Sequence, residues 1–453
     1  MSKPISLSLF DLFKVGPGPS SSHTIGPMCA GYNAIAEMAK LPAAQLEQAD
    51  RIEVRLFGSL SATGKGHGTD RAVLAGLMGV NPANCPADLL PGLLQQDGQI
   101  HEVRLGNRVL PMTQAQIVFD RGGGDLPHPC TLSIRLLAGA RVLFEREYYS
   151  VGGGFIQWKG WKAPARGEPV YHYSTAVEVR DLLAHKNLRM HEMMIENEKA
   201  ISGLSEQAIN DRMDAIIAAM ELSVARGIRT EGPLPGPLNV QRKAASLARR
   251  AANMAHSPEH FMVLLAANAF AVAEENAAGH PVVTAPTCGS AGVIPAVLYI
   301  MKHHLRMPRE TINRGLLAAG LVGFLAKHNA TLAGSEAGCQ AEIGVAAAMA
   351  AAMLAYAHES DFRVAENAAE IALEHHLGMT CDPVCGYVQI PCIERNAMGA
   401  VKAYMAWLIA GEETMRFHKV DLDKVILVMY ETGRDLQAKY RETASGGLAK
   451  YVH

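Results

Sequence analysis

Apolar residues follow two different rhythms along this chain, and the change of rhythm divides it. Ile25, Met28, Tyr32, Ile35, Ala36 and Ala39 recur at helical spacing behind the polar run Ser20, Ser21, Ser22 and Thr24, so a loop feeds a capped helix. Ile52, Val54 and Leu56 then alternate with polar neighbours, as the inner face of a half-buried strand does. Leu132, Ile134 and Leu136 repeat that alternation, and Ala138–Gly139 turns the chain into Val142 and Phe144, which predicts a hairpin. Residues 1–155 are therefore expected to form an α+β domain, a modest sheet with helices.

Both rhythms stop in the glycine- and tryptophan-rich stretch that begins at Gly152, and residues 156–173 are expected to be a linker partly packed through Trp158 and Trp161. From 174 to 453 alanine, leucine and methionine dominate, strand alternation is absent, and breaks fall at residues 232–237 (GPLPGP) and at His280–Pro281. This half predicts an all-α domain. Its uncharged run Ile343–Ala357 is mostly alanine and shorter than the roughly 20 residues of a membrane span, which favours a close-packed internal helix. A second uncharged run, Pro281–Met301, is interrupted by Pro286 and Pro295 and reads as a strand or loop followed by a helix.

Composition changes this picture little. The 453 residues are about half apolar, enough for large cores, and 42 basic against 44 acidic residues give no electrostatic reason to expect nucleic acid or a membrane as partner. The N-terminus lacks a basic region followed by an apolar core, so the cytoplasm is the expected location, and a homodimer is plausible for so apolar a helical chain.

Cysteine usage changes it more. Four of eight cysteines, Cys339, Cys381, Cys385 and Cys392, fall between Gly334 and Cys392, and clustered thiols in a chain with no secretory signal point to metal or redox chemistry. Cys339 follows a glycine-rich approach at the start of a helix, where the dipole favours a thiolate. Cys381, Cys385 and Cys392 surround Pro383, Gly386 and Pro391, which forbid a continuous helix and free backbone N–H groups to face an anionic centre. The spacing matches neither a tetrahedral zinc site nor a small ferredoxin. Three scattered cysteines suit a cluster with one open iron, which acts as a Lewis acid on a hydroxyl; the plainer reading is a set of buried small hydrophobes. The residues alone do not select Cys392 over Cys385. Cys29, Cys85, Cys130 and Cys288 read as buried or incidental.

Other candidates are less specific. Ser20, Ser21, Ser22 and Thr24, with His23, open a helix where free N–H groups could receive a carboxylate, though a plain helix cap explains the same residues. His67 and Asp70 sit in a glycine-rich loop, where a histidine is usually just surface but can serve as a base. Gly289 and Ser290 lie in a tight turn that lets backbone approach a small anion, on weak evidence. Lys243 is a further base candidate and by default a solvated helix lysine.

Six ordered segments, at 10–28, 58–70, 239–244, 285–298, 334–344 and 442–449, give the chain its family resemblance: it is similar over essentially its full length to bacterial iron–sulfur L-serine dehydratases of the single-chain form. That resemblance implies conversion of L-serine to pyruvate and ammonia in serine catabolism, with a [4Fe-4S] cluster held by Cys339, Cys381 and Cys392. It also implies an N-terminal domain similar to a regulatory domain of phosphoglycerate dehydrogenases, closing over the helical domain with His23 and His67 on one side of the substrate and Gly289 and Ser290 on the other. Some members end in a cysteine able to reach the open iron; this chain ends at His453, so ligation by the tail would fall to that imidazole or the terminal carboxylate. Two rivals stand beside this reading. One is a pyridoxal phosphate lyase, for which no lysine has an obvious context; the other is a ligand-sensing regulator that uses the cluster as a redox report.

Overall fold

The computed structural model describes residues 3–122, 125–162, 166–254, 256–359, 361–412 and 419–452. Its N-terminal part is α/β, built on a five-stranded mixed sheet, and its C-terminal part is largely helical. The strands, in chain order, are β1 (Val15–Pro17), β2 (Arg51–Leu56), β3 (His101–Leu105), β4 (Arg108–Met112), β5 (Ile117–Phe119), β6 (Thr131–Ala138), β7 (Arg141–Ser150), β8 (Ile156–Trp158) and β9 (Pro281–Val283).

The main sheet runs β5-β2-β6-β7-β8, with β5 and β2 parallel and the other neighbours antiparallel. Ile52, Val54 and Leu56 sit opposite Leu136, Ile134 and Leu132, and all six are buried, so the alternation in the sequence is the inner face of the sheet. The helices Gly26–Met38 and Thr69–Leu77 cover that face, meeting where Gly31 and Gly76 let their backbones touch. The expected linker begins as β8: Trp158 packs edge-on against Tyr148, with centroids 5.8 Å apart, under the guanidinium of Arg146.

The helical part is organised around Val345–Glu359, which packs against the helices Arg309–Asn329, Phe362–Glu374 and Cys392–Glu412. The run Gln340–His358 is long and apolar enough to cross a membrane, but 89% of it is buried among these neighbours, and its alanines permit their close approach.

The first residues of the chain belong to this helical core. Ile5, Leu9, Phe10, Leu12 and Phe13 join its apolar cluster, not that of the sheet. Gly320 and Gly323 leave grooves that Leu9 and Leu12 fill, and a side chain at either glycine would collide with them. Glu198 fastens the segment by accepting from Ser8 Oγ at 2.7 Å and the Leu9 N–H at 2.8 Å. β1 then pairs with β9, so the chain leaves the helical part through a two-stranded ribbon that leads into the Ser20–Thr24 turn.

Candidate active site

Cys339, Cys381 and Cys392 reach one cavity from three different backbone settings. Cys339 caps the helical run Gln340–Glu359, whose first turn is widened: the Gly344 N–H reaches back to the Cys339 carbonyl at 3.3 Å. Gly338, with φ +74°, brings the chain to that cap. Cys381 is pinned through its backbone between Tyr440 and Glu442, donating to the first and accepting from the second, each at 2.8 Å. Cys392 opens the helix Cys392–Glu412. Cys385, with φ +52°, is exposed and turned away from the other three.

The cavity is lined by these three cysteines, Glu342 and Gly289 from the helical part, Ser20 and His67 from the N-terminal part, and Glu442 from the C-terminal segment. The Cys339 and Cys381 sulfurs and a Glu342 oxygen lie within 4.8 Å of one another. A hydrogen bond from Cys381 draws Cys339 below the usual thiol range, and the guanidinium of Arg395 adds to this against the cost of burial. Cys381 is pushed up because it gives that hydrogen bond, Cys392 because it is buried beside the resulting negative charge. Burial also lifts Glu342 to about 8. A side chain at Gly334 would stand 2.8 Å from Glu342 and 3.3 Å from the Cys381 sulfur, so the wall is glycine where it is closest.

Soft donors that share an enclosed space and repel one another's ionisation are fitted to a highly charged soft metal centre. With three sulfurs, one partly buried glutamate and a fourth side open to histidines, the set fits an iron–sulfur cluster bound by three cysteines better than a closed zinc site.

The histidines face the cysteines from the N-terminal part and stack on each other, centroids 4.5 Å apart. His23 lies in another widened turn, Ser21–Ile25. Its Nε2 is 2.9 Å from Ser59 Oγ, whose single proton goes to the Glu442 carbonyl at 2.9 Å, so Nε2 is the protonated nitrogen. Nδ1 then accepts from Ser22 Oγ at 2.9 Å. His67 donates from Nδ1 to the Thr63 carbonyl at 2.9 Å, which leaves Nε2 with its lone pair, without a hydrogen bond and 3.7 Å from Glu442 Oε1. Burial holds both imidazoles neutral, His67 at about 4. Burial, with the charge of Cys339 second, lifts Glu442 to about 8.

The other residues singled out from the sequence are placed as follows. Ser20 lines the cavity and caps the turn through the His23 N–H, Ser21 is buried in that turn, Ser22 holds His23, and Thr24 Oγ1 donates to the His67 carbonyl at 2.9 Å. These hydroxyls therefore fix the histidines. Gly289 lies on the cavity wall, its carbonyl held by Asn396 at 2.8 Å, whereas Ser290 turns into its own loop toward Thr287 and Ala285. Asp70 lies in the first turn of its helix and accepts from the Arg71 N–H at 2.9 Å. Lys243 does not line the cavity: its half-exposed ammonium pairs with Glu394 at 3.0 Å. His453 lies outside the described residues.

Sequence reasoning missed Glu342, Glu442, Ser59 and Arg395. Glu342 had a signal, since it is the lone charge in the stretch from Cys339 to Ala357. Glu442 sits beside a glycine pair at the far end of the chain, and nothing in its local pattern tells it from a surface glutamate.

Comparison with known proteins bears on the chain as a whole. The serine dehydratase beta chain model matches residues 8–161 and the serine dehydratase alpha chain model matches 185–449. The chain is 44% identical to an L-serine dehydratase of Haemophilus influenzae and 43% identical to the L-serine dehydratase TdcG of Escherichia coli, with 98% of each chain covered in both. It is 42% identical to an L-serine dehydratase of Streptomyces coelicolor over 98% of this chain and 99% of that one. With both family models in order along one polypeptide and relatives matched from end to end, the chain belongs to the serine dehydratase family.

Proposed function

We propose that this protein is an L-serine ammonia-lyase that removes water from L-serine and yields pyruvate and ammonia, with a [4Fe-4S] cluster held by Cys339, Cys381 and Cys392. The observation that carries the reading is the single cavity into which three cysteines from one part and the free Nε2 of a neutral histidine from the other are directed. When bound, the cluster supplies an open iron that polarises the serine hydroxyl as a Lewis acid.

The chain's own residues supply the rest. His67 Nε2 takes the Cα proton, and the Glu442 carboxyl group, 3.7 Å away, is the polar group that faces the imidazolium that results. His23, its tautomer fixed by Ser22 and Ser59, holds the face of His67 and the substrate's polar end. Ser20 and the N–H groups of the turn it opens receive the carboxylate, and Gly289 leaves room on the opposite wall. Loss of the Cα proton and the hydroxyl leaves aminoacrylate, which tautomerises and hydrolyses.

Residues 1–155, similar to a phosphoglycerate dehydrogenase regulatory domain, act as the part that closes over substrate, 156–173 as the connection and 174–453 as the catalytic part. Met398, Met405, Leu408 and Ile409, exposed along one helix, support a homodimer. A role in serine catabolism follows from the reaction.

The test is pyruvate formation from L-serine by anaerobically purified protein, with iron and sulfide quantified before and after exposure to air. Activity that tracks cluster content and disappears in air supports the proposal; activity that survives loss of iron sinks it.

A further inference from the structure

Three buried cysteines, the buried Glu442 and the partly buried Glu342 line one cavity, and a centre held there by deprotonated cysteines needs a positive partner. Arg395 stands beside them on the first turn of the helix Cys392–Glu412, one turn after Cys392. Its guanidinium is 16% exposed and donates from Nη1 to the Thr380 carbonyl at 2.7 Å and from Nη2 to Asp382 Oδ1 at 3.0 Å, the two residues that flank Cys381. Its positive charge also draws Cys339 down. A guanidinium keeps its charge even where it is largely buried, as here.

Asp382 aims this fork. Its Oδ1 also accepts from Thr380 Oγ1 at 3.1 Å, and its Oδ2 accepts from the Leu448 N–H at 2.8 Å. Gly447, with φ +59°, passes so close that any side chain there would collide with Asp382. The guanidinium is thus fixed at once by the cysteine loop, its own helix and, through Asp382, the C-terminal segment. A planar guanidinium suits such a position because it presents five donors in a rigid fork, which an ammonium does not.

We propose that Arg395 is a positioning residue for the metal centre: aimed by Asp382, its N–H donors hold the loop that carries Cys381 in place, and its charge balances the sulfur ligands and sets the electron affinity of what they bind. The inference rests on the reading of Cys339, Cys381 and Cys392 as cluster ligands. Hydrogen bonds to ligand sulfurs and net charge are the terms by which a protein tunes such a centre, and outer partners of this kind decide how firmly it is kept.

The experiment compares wild type, R395Q, R395K and D382N, all purified anaerobically and checked for fold by thermal melting. Iron and sulfide content, the rate of iron loss to a chelator and the reduction potential are read for each. R395Q should lose iron about 10- to 100-fold faster than wild type, and its potential should move negative because a positive charge is gone. R395K, which restores charge without the fork, should recover the potential more fully than the retention. If R395Q keeps wild-type content, loss rate and potential, the inference is overturned while the ligand assignment stands. Wild type that holds no iron or sulfide overturns the ligand assignment itself. If R395Q does not fold, D382N decides: faster iron loss upholds the role, and an unchanged rate overturns it.

Discussion

His67 carries the sharpest prediction at the level of single residues. Its Nδ1 is committed to a backbone carbonyl and its Nε2 is bare, so His67→Gln should lower kcat/KM by about 10²- to 10⁴-fold, the usual worth of a general base. Cluster content, measured as iron and sulfide, should be unchanged, which separates lost proton transfer from a lost site. Cys385→Ala should leave both content and turnover at the wild-type level, because that thiol is exposed and outside the cavity, whereas alanine at Cys339, Cys381 or Cys392 should abolish both. The contrast also marks what was legible in the sequence. Clustered thiols suggested metal chemistry, but Cys385 and Cys392 are equivalent on paper, and it is the backbone, left-handed at Cys385 and helical at Cys392, that tells them apart. Lys243 shows the converse. Nothing beside it in sequence tells that Glu394, distant along the chain, pairs with it.

Among the elements, strand and helix periodicity was readable wherever one face is buried, as in β2, β6 and the helix Gly26–Met38. The N-terminal segment was not, because its apolar residues dock on glycines over 300 positions away, and no local period records that. Leu12→Ala should cost about 2–5 kcal/mol, the range for an emptied core site, read by urea unfolding. A second prediction concerns the helix His260–Ala277, where buried Glu275 is ringed by Arg226, Arg242 and His280. Burial alone would raise its pKa, but the bonds from His280 and Arg226 bring it down to about 2. A folded-state pKa below the ordinary 4.5 means that the network contributes fully above pH 4.5 and is lost as pH falls from there toward 2. Glu275→Gln should therefore be less stable than wild type at pH 7 in urea unfolding, and the difference should narrow at pH 3.

In the whole molecule, the two parts are interleaved, not merely joined. Because Leu9, Leu12 and Phe13 fill the helical core and β1 pairs with β9, residues 174–453 expressed alone should be poorly soluble and melt lower than in the intact chain. Co-expression with residues 1–173 should restore both solubility and pyruvate formation. A fragment 174–453 as stable as the intact chain would show that the docked segment is dispensable. The two apolar rhythms revealed two parts, yet could not reveal this exchange, since the sequence carries no mark of which core a short apolar segment will enter.

The hydrogen bond from Ser59 to the Glu442 carbonyl joins residues 383 positions apart, and the histidines, the cysteines and this carboxylate become neighbours only when that loop closes. Contacts of such separation form late, after the loop-closure entropy has been met by other packing. A ribosome delivering this chain releases both histidines and all three cysteines before Glu442 emerges, so a growing polypeptide displays reactive thiols with no finished pocket around them. If those cysteines hold the proposed cluster, its loading is an event of the completed fold, and any factor that shields the thiols during synthesis has to let go before the C-terminal segment can settle.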